Sequence, residues 1–376
     1  MQRGINDETG GHGGDLSRAL KCWNPDVNLI DFSSNINPYG PPAGLPGHLR
    51  RALAGITAYP VPQARELRQA LADHLGVQVN RLLPGNGATE LIHLLVLWRK
   101  PRKVFVPAPS FSEYRRAAHL SGAEVVEYPL LPGEKFTTFS PGQNPAAGDL
   151  VVFCNPNNPT GELYGRRTLL SLAEEVQAHG AELLIDESFI PLSGRREESL
   201  RDRQDKGLWV VISLTKLWSL PGLRLGCLIG PEEGIGKLTR WGDPWRVNSL
   251  AQAAGLYCLE QKDFLKKSLV LIKKERSYLK KNLRESGKFR VFDGAANYLL
   301  LQGLGPSFDA ANLQAYLGRR GLLIRRADNF SGLDKTFFRI AVLRRRDNMR
   351  LLQEIERWFE EGCPAAEEEN WKGGGR

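Results

Sequence analysis

One pattern recurs along this chain of 376 residues: a short apolar run ends in a polar loop, and a helical segment follows. The clearest apolar runs cover residues 104–106, 150–153, 182–185 and 208–212. Strands, polar loops and helices in this alternation are typical of a mainly parallel sheet with helices on both faces. The carboxyl ends of parallel strands meet at one edge of the sheet, where open α/β folds bind their ligands. The sequence therefore predicts an α/β fold whose polar loops converge at that edge.

The carboxyl-terminal third of the chain predicts a second, smaller unit. A long basic helix comes first, and strand candidates at residues 296–301 and 337–342 then flank a helix near residues 311–316. The last residues are acidic and glycine-rich, which is typical of a frayed terminus. We therefore expect an N-terminal arm over residues 1–35, a large domain over 36–245, a small α/β domain over 246–362 and a disordered tail over 363–376.

The formal net charge of +9 would suit either nucleic acid or anionic small molecules. Much of the excess is local, because Lys266, Lys273 and Lys280 recur every seven residues on a helix whose leucines lie largely on the other side. This spacing favours a solvated helix face over a nucleic-acid stripe. The sequence also contains no recognition-helix motif, so we expect no nucleic-acid partner.

Neither a membrane segment nor a metal site is indicated by the sequence. No apolar stretch approaches the roughly 20 residues that span a bilayer, and the first residues lack the apolar core of a signal peptide. The five cysteines are scattered without CxxC spacing, which argues against a disulfide framework or a zinc site. We therefore expect a cytoplasmic protein that has no membrane partner and binds no metal.

A lysine stands at the carboxyl end of one apolar strand. Residues 208–212 lead directly into Ser213-Leu214-Thr215-Lys216. An amine that is desolvated at such a position loses basicity and can form a Schiff base with an aldehyde. A surface lysine in a strand-to-helix loop is the alternative, because most lysines are exposed.

A glycine-rich turn precedes the apolar helix at residues 91–98. It reads Pro-Gly-Asn-Gly-Ala-Thr-Glu over residues 84–90 and contains Gly87, Ala88 and Thr89. Glycines let the backbone turn tightly, and free N–H groups at a helix N-terminus with a threonine hydroxyl suit a phosphate. The same residue types also cap helices without binding anything, so the motif alone fits both interpretations.

Taken together, the loops supply every part that an aromatic aldehyde cofactor with a phosphate requires. Lys216 would form the Schiff base, Asp186 would pair with the ring nitrogen and Asn158 with the ring hydroxyl. Phe111 offers an aromatic platform, and the glycine-rich turn offers a phosphate site. Pyridoxal phosphate is such a cofactor, and an acidic partner keeps its ring nitrogen protonated so that the ring can accept electrons.

At these residues the sequence resembles the fold type I pyridoxal-phosphate enzymes, the aspartate aminotransferase superfamily, over nearly the whole chain up to about residue 362. The resemblance implies the roles just given for Lys216, Asp186, Asn158 and Phe111. It also implies a homodimer and a set of ligands for the cofactor phosphate, namely Gly87, Ala88, Thr89, Ser213, Arg224 and, from the neighbouring subunit, Tyr59. One position departs from the family pattern, because Phe189 stands where many members have a tyrosine that bonds the ring hydroxyl.

Within the superfamily the chain is most similar to threonine-phosphate decarboxylases and histidinol-phosphate aminotransferases. Three segments favour the decarboxylases: His12-Gly13-Gly14 ahead of residues 31–38, residues 244–248, and Leu323-Ile324-Arg325 ahead of residues 329–330. The resemblance implies a set of substrate contacts, namely His12 and Arg325 at the substrate phosphate, Arg339 at the α-carboxylate, and Ser34, Asn35 and Ile36 nearby. Arg326 is a second candidate for the phosphate, because it follows Arg325 where the family usually has an acidic residue.

The expected substrate is therefore a phosphorylated amino acid. The expected reaction is decarboxylation of L-threonine O-3-phosphate to (R)-1-amino-2-propanol O-2-phosphate in cobalamin biosynthesis. Transamination of histidinol phosphate is the alternative within the superfamily, and a basic nucleic-acid-binding protein is the alternative from another class. The residues leave open the choice between decarboxylation and transamination, which depends on the bond to Cα that is held perpendicular to the cofactor plane.

Overall fold

The computed structural model describes residues 13–22, 28–130, 133 and 144–364. Within these ranges the helices are α1 (Leu16–Cys22), α2 (Leu45–Ala52), α3 (Arg65–Leu75), α4 (Ala88–Arg99), α5 (Glu113–Ser121), α6 (Arg166–Ala178), α7 (Ile190–Ser193), α8 (Leu214–Leu217), α9 (Glu232–Trp241), α10 (Ser249–Leu259), α11 (Phe264–Glu285), α12 (Ala310–Arg319) and α13 (Arg345–Glu360). Short 3₁₀ turns lie at Leu53–Gly55, Pro62–Ala64, Val79–Arg81 and Arg196–Glu198.

The strands form three sheets. They are β1 (Ile30–Asp31), β2 (Leu82–Gly85), β3 (Lys103–Ala108), β4 (Glu124–Pro129), β5 (Leu150–Cys154), β6 (Glu182–Asp186), β7 (Leu208–Ser213), β8 (Gly226–Ile229), β9 (Phe289–Val291), β10 (Tyr298–Gly303), β11 (Leu322–Leu323), β12 (Arg325–Arg326) and β13 (Phe337–Ala341). The large sheet has the order β2-β8-β7-β6-β5-β3-β4. In this sheet β8 runs in the direction opposite to the other six strands, which are parallel to one another. The predicted mainly parallel α/β architecture is therefore confirmed.

The large sheet separates two apolar cores, because successive residues of a strand point to opposite faces. In β7, Leu208, Val210 and Ile212 belong to one core, and Trp209 and Val211 belong to the other. A strand that is buried on both faces has a continuous apolar sequence, as the central strands of parallel sheets do. This burial explains why the apolar runs in the sequence locate β3, β5, β6 and β7.

A third core lies around the antiparallel sheet β12-β13-β10-β9. Phe338 and Ile340 of β13 pack there with Trp358 of α13. The amino-terminal segment joins this part of the molecule, since β1 pairs in parallel with β11. Helix α10 instead contributes Ala251 to the core of the large sheet. The domain boundaries given above remain predictions.

The predicted basic helix corresponds to α11. Its buried residues recur at three- and four-residue intervals, with Ile272 and Leu279 among them, and Lys266 and Lys273 are exposed. This arrangement is the amphipathic one that the sequence predicts. In the part of the chain that the structure describes, no helix combines the length and apolarity needed to cross a membrane.

Candidate active site

A cavity of about 450 Å³ lies at the carboxyl ends of the central strands of the large sheet. Its wall on the other side is formed by residues of β12, β13 and the loop between them. The predicted site residues that line it are Ser34, Asn35, Ala88, Thr89, Phe111, Asn158, Asp186, Ser213, Lys216, Arg224, Arg325 and Arg339. The structure therefore brings together residues that lie up to 305 positions apart in the sequence, counting from Ser34 to Arg339.

Lys216 lies in α8, directly after β7. The backbone N–H groups of Leu214 and Thr215 both donate to the carbonyl of Leu225, which folds this segment against the start of β8. Burial, together with the positive charges of Arg339 and Arg224, lowers the pKa of the Lys216 amine from 10.5 to about 8. Roughly a tenth of this amine is therefore unprotonated at pH 7 and about half at pH 8, and the unprotonated form is the nucleophile.

Asp186 is buried at the end of β6. Its Oδ2 accepts a hydrogen bond from the Tyr114 hydroxyl at 2.6 Å, and its Oδ1 accepts one from the Ser188 N–H at 2.8 Å. Burial raises the pKa of this carboxyl group, whereas both hydrogen bonds and the nearby Lys216 charge favour the ionised form. Since each carboxylate oxygen can accept more than one donor, the group can still accept a bond from a protonated ring nitrogen.

The glycine-rich turn forms a cradle at the N-terminus of α4. Gly87 has a φ of 86°, and a Cβ at this position would lie 2.6 Å from Nη2 of Arg224. Arg224 itself has a φ of 57°, which is strained for a residue with a side chain. The first N–H groups of a helix have no acceptor within it, so those at Ala88 and Thr89 can bind an anion together with Arg224.

Arg339 of β13 is held in one orientation by several contacts. Its Nη1 donates to Oδ1 of Asn158, and its Nη2 donates to the Ser33 carbonyl at 2.7 Å. The guanidinium carbon also lies 5.4 Å from the centre of the Tyr298 ring. Nε is buried and finds no acceptor among the described residues. This orphaned donor at the cavity fits a residue that binds a carboxylate.

Arg325 lies directly opposite Arg339, because the two are register partners in the antiparallel pair of β12 and β13. Nη2 of Arg325 donates to Oδ1 of Asn329 at 2.8 Å, and the guanidinium lies 5.2 Å from the Phe330 ring centre. Burial and the Arg339 charge lower the pKa of Arg325 to about 9. Like charges opposite each other in a sheet are destabilising, so this wall is suited to an anionic ligand.

The structure distinguishes the two consecutive arginines. Arg325 lines the cavity, whereas Arg326 does not and forms an ion pair with Asp328. Successive residues of a strand point to opposite sides, which explains the difference. Of the two candidate arginines, only Arg325 lines the cavity.

The amino-terminal loop is ordered around the Asp31 carboxylate. Oδ1 accepts hydrogen bonds from the N–H groups of Ser33 at 2.8 Å and Ser34 at 3.2 Å. This turn places Ser34 and Asn35 at the cavity and presents the Ser33 carbonyl to Arg339. Oδ1 of Asn35 is buried without a donor in the described part of the chain.

Three of the predicted site residues that the structure describes, namely Gly87, Ile36 and Tyr59, do not line the cavity. Gly87 lies next to the guanidinium of Arg224, which does line the cavity. The Ile36 carbonyl accepts a hydrogen bond from Nδ2 of Asn297 at 3.2 Å. Tyr59 is 82% exposed and stacks on Trp245, with 4.9 Å between the ring centres. His12 lies outside the described residues.

Other residues at the cavity were missed by the sequence analysis, including Tyr114, Ser188 and Asn329. No motif singles out Tyr114 or Ser188, and Tyr114 only stands three residues after Phe111. Asn329 lies in a segment that the resemblance singles out, but the resemblance assigns no role to it. Phe189, noted above as a departure from the family pattern, does line the cavity and makes an edge contact with Tyr298 at 5.0 Å.

The site fits pyridoxal phosphate by the chemistry of its donors. A buried amine of lowered pKa and a buried carboxylate with acceptor capacity lie in one cavity with the Phe111 ring. The cradle at the N-terminus of α4 is shaped so that a Cβ at Gly87 would disturb Arg224. These features correspond to the aldehyde, the ring nitrogen, the ring face and the phosphate of that cofactor.

Comparison with known proteins agrees with this arrangement. A sequence model of the family described as aminotransferase class I and II matches residues 27–355. The threonine-phosphate decarboxylase of Salmonella typhimurium is 34% identical over 91% of this chain and 94% of its own length. A protein of Caldanaerobacter subterraneus subsp. tengcongensis, provisionally named a threonine-phosphate decarboxylase, is 35% identical over 91% of this chain and 96% of its own length.

A solved structure gives the same fold. The histidinol-phosphate aminotransferase from Clostridium acetobutylicum superposes with a TM-score of 0.78 and 28% identity, over 89% of this chain and 100% of its own. The fold predicted from the sequence, that of the fold type I pyridoxal-phosphate enzymes, is thereby confirmed.

Proposed function

Because the chain belongs to the aminotransferase class I and II family, we propose that it uses pyridoxal phosphate to decarboxylate L-threonine O-3-phosphate. The product is (R)-1-amino-2-propanol O-2-phosphate, for cobalamin biosynthesis. The observation that carries the choice of substrate is the pair Arg325 and Arg339, which lie opposite each other on the cavity wall that faces Lys216 and Asp186. The substrate supplies one anion for each arginine, a phosphate and a carboxylate.

The alternative substrate, histidinol phosphate, matches this wall less well. It carries a phosphate but no carboxylate, so it would leave the buried guanidinium of Arg339 without an anionic partner. An uncompensated buried charge is costly, which favours the substrate that has both groups. The identities of 34–35% to threonine-phosphate decarboxylases lie only slightly above the 33% to the histidinol-phosphate aminotransferase of Desulfitobacterium hafniense, so the choice of substrate rests on the two arginines.

When bound, pyridoxal phosphate supplies an aldehyde that condenses with amines and a protonated ring that accepts an electron pair. In this proposal Lys216 would attach to it, Asp186 would pair with its ring nitrogen, Asn158 would bond its ring hydroxyl and Phe111 would pack on its ring. The residues that would hold its phosphate are Ala88, Thr89, Ser213 and Arg224.

In this proposal Arg339 orients the substrate by its carboxylate. It binds the substrate carboxylate, and its contacts with Asn158, Ser33 and Tyr298 hold the guanidinium in one direction. Fixing the carboxylate at one end and the phosphate at Arg325 would hold the substrate in one orientation, and the proposal requires that this orientation favour breaking the bond from Cα to the carboxylate carbon. Carbon dioxide leaves, and Nζ of Lys216 donates a proton to Cα. A pKa of about 8 allows this amine to act in both protonation states near neutral pH.

The proposal includes a homodimer, in which Tyr59 reaches the cofactor phosphate of the partner subunit. The exposed stack of Tyr59 on Trp245 supports it, because large aromatic side chains exposed together are typical of interfaces. Sedimentation equilibrium should give twice the monomer mass of 41.9 kDa, and a monomer would contradict this part. The cytoplasmic location stays a prediction.

The test of function uses L-threonine O-3-phosphate as the only substrate, without a keto acid. Phosphorus-31 NMR should show conversion of its resonance to that of aminopropanol phosphate. Conversion of histidinol phosphate instead, dependent on 2-oxoglutarate and with phosphothreonine unchanged, would replace the proposal with an aminotransferase. A parallel reaction with phosphoserine measures how much the substrate methyl group contributes to specificity. We expect kcat/KM to be roughly 10-fold or more higher for phosphothreonine than for phosphoserine.

A further inference from the structure

We propose that Tyr114 is a positioning residue that fixes both the carboxylate of Asp186 and the ring of Phe111 for the cofactor. This inference rests on the proposed function only in that the cofactor is pyridoxal phosphate; it does not depend on the identity of the substrate.

The geometry places Tyr114 between the two groups. It lies in the first turn of α5 and is only 1% exposed. Its hydroxyl donates to Oδ2 of Asp186 at 2.6 Å. Its ring meets the ring of Phe111 edge to face, with 5.7 Å between the centres and 84° between the planes. One side chain therefore contacts both the expected partner of the ring nitrogen and the expected platform of the ring.

The hydrogen bond to Asp186 bears on the charge of that carboxyl group. Burial favours its neutral form, and hydrogen bonds from the Ser188 side chain, the Tyr114 hydroxyl and the Ser188 N–H oppose burial. Burial and the Asp186 charge raise the pKa of Tyr114 well above 10, so the phenol keeps its proton and always donates. Without this donor, the carboxyl group should move towards its neutral form and pair less well with a protonated ring nitrogen.

The contact with Phe111 bears on orientation. Phe111 lies in the loop between β3 and α5, and an edge-to-face contact with a buried ring restricts the directions its own ring can take. The N–H of Tyr114 also donates to the Phe111 carbonyl at 3.3 Å, which closes the turn that joins the two residues. The hydroxyl interacts with Asp186 and with the Cys154 thiol, whereas the ring packs on Phe111, so removing the hydroxyl separates the electrostatic role from the packing role.

The test is Tyr114→Phe, which removes the hydroxyl and retains the ring. Tyr128→Phe is a matched control, because Tyr128 is also 1% exposed and its hydroxyl donates to the Val152 carbonyl at 2.5 Å, outside the residues that line the cavity. Both variants lose one buried hydrogen bond, so similar falls in melting temperature are expected. The measurements are the dissociation constant for pyridoxal phosphate and the pH titration of its visible absorption in the holoenzyme, without substrate.

We expect Tyr114→Phe to weaken cofactor binding at least about tenfold and to raise the midpoint of the absorption titration, because a less positive ring favours protonation of the attached nitrogen. Tyr128→Phe should leave both values at those of the wild type. Unchanged values in Tyr114→Phe, or equal changes in the two variants, would overturn the inference. A wild-type chain that binds no pyridoxal phosphate would overturn the inference and the proposed function together, whereas a holoenzyme inactive on phosphothreonine would overturn the function alone.

Discussion

Glu187, which follows the candidate cofactor partner Asp186, should make the stability of the protein depend on pH. Its side chain is fully buried on the sheet. Oε1 accepts a hydrogen bond from the Leu200 N–H at 2.9 Å, and Oε2 accepts one from the Ser199 hydroxyl. These bonds and the Arg201 charge favour the carboxylate, but burial outweighs them and raises the pKa of Glu187 from 4.5 to about 7.

The sign of the effect follows from which state binds the proton. Below the unfolded-state pKa of 4.5, both states are protonated and the contribution of Glu187 is fully present. As the pH rises from 4.5 to about 7, the unfolded chain releases the proton while the folded chain retains it, so stability falls. At about 1.4 kcal/mol for each pH unit, the loss amounts to about 3 kcal/mol and is complete above about pH 7.

Glu187→Gln removes this titration and retains an oxygen that can accept from Leu200. The free energy of unfolding is measured with urea at saturating cofactor, at pH 4.5 and at about pH 8. The decrease between these two pH values should be about 3 kcal/mol smaller in the variant than in the wild type. Glu360→Gln, at an exposed position of α13, is the control and should follow the wild-type profile. Parallel profiles for Glu187→Gln and the wild type would refute the reasoning.

Two further predictions concern the cavity. Gly87→Ala should weaken binding of pyridoxal phosphate at least about tenfold in equilibrium dialysis. A side chain at φ 86° costs about 1–2 kcal/mol, and its Cβ would lie 2.6 Å from Nη2 of Arg224. Unchanged affinity would contradict the claim that this turn binds the cofactor phosphate. Arg325→Gln should raise KM for phosphothreonine roughly 10- to 100-fold by removing a charge-assisted bond, whereas its matched neighbour Arg326→Gln should change KM by less than about threefold. Equal effects of the two variants in steady-state kinetics would contradict the strand register.

Much of the fold could be predicted because burial leaves a clear record in the sequence. The central strands β5, β6 and β7 are buried along nearly their whole length, so they are apolar without interruption. Strand β4 was missed because it lies at the sheet edge, and its sequence Glu-Val-Val-Glu-Tyr-Pro is partly exposed. Apolar patterning carries little information for such a strand.

The cofactor residues could be predicted for a different reason. Asp186 ends a strand of the parallel part of the sheet, and Lys216 and Asn158 each follow one, so the topology alone brings them to one edge. The role of Tyr114 could not be predicted, since it depends on how α5 packs against β6, 72 residues away in sequence. The register between β12 and β13 likewise decides which of Arg325 and Arg326 faces the cavity. That register is set by pairing with a strand distant in sequence, so the local sequence does not reveal it.

The central claim is that this cavity releases carbon dioxide from phosphothreonine catalytically. The most direct measurement is the amount of labelled carbon dioxide set free from L-threonine O-3-phosphate labelled in its carboxyl carbon, per active site and without a keto acid. The account predicts many equivalents per site from the wild type and none from Lys216→Ala, which should still bind the substrate. Less than one equivalent from the wild type, or equal release from Lys216→Ala, would contradict it.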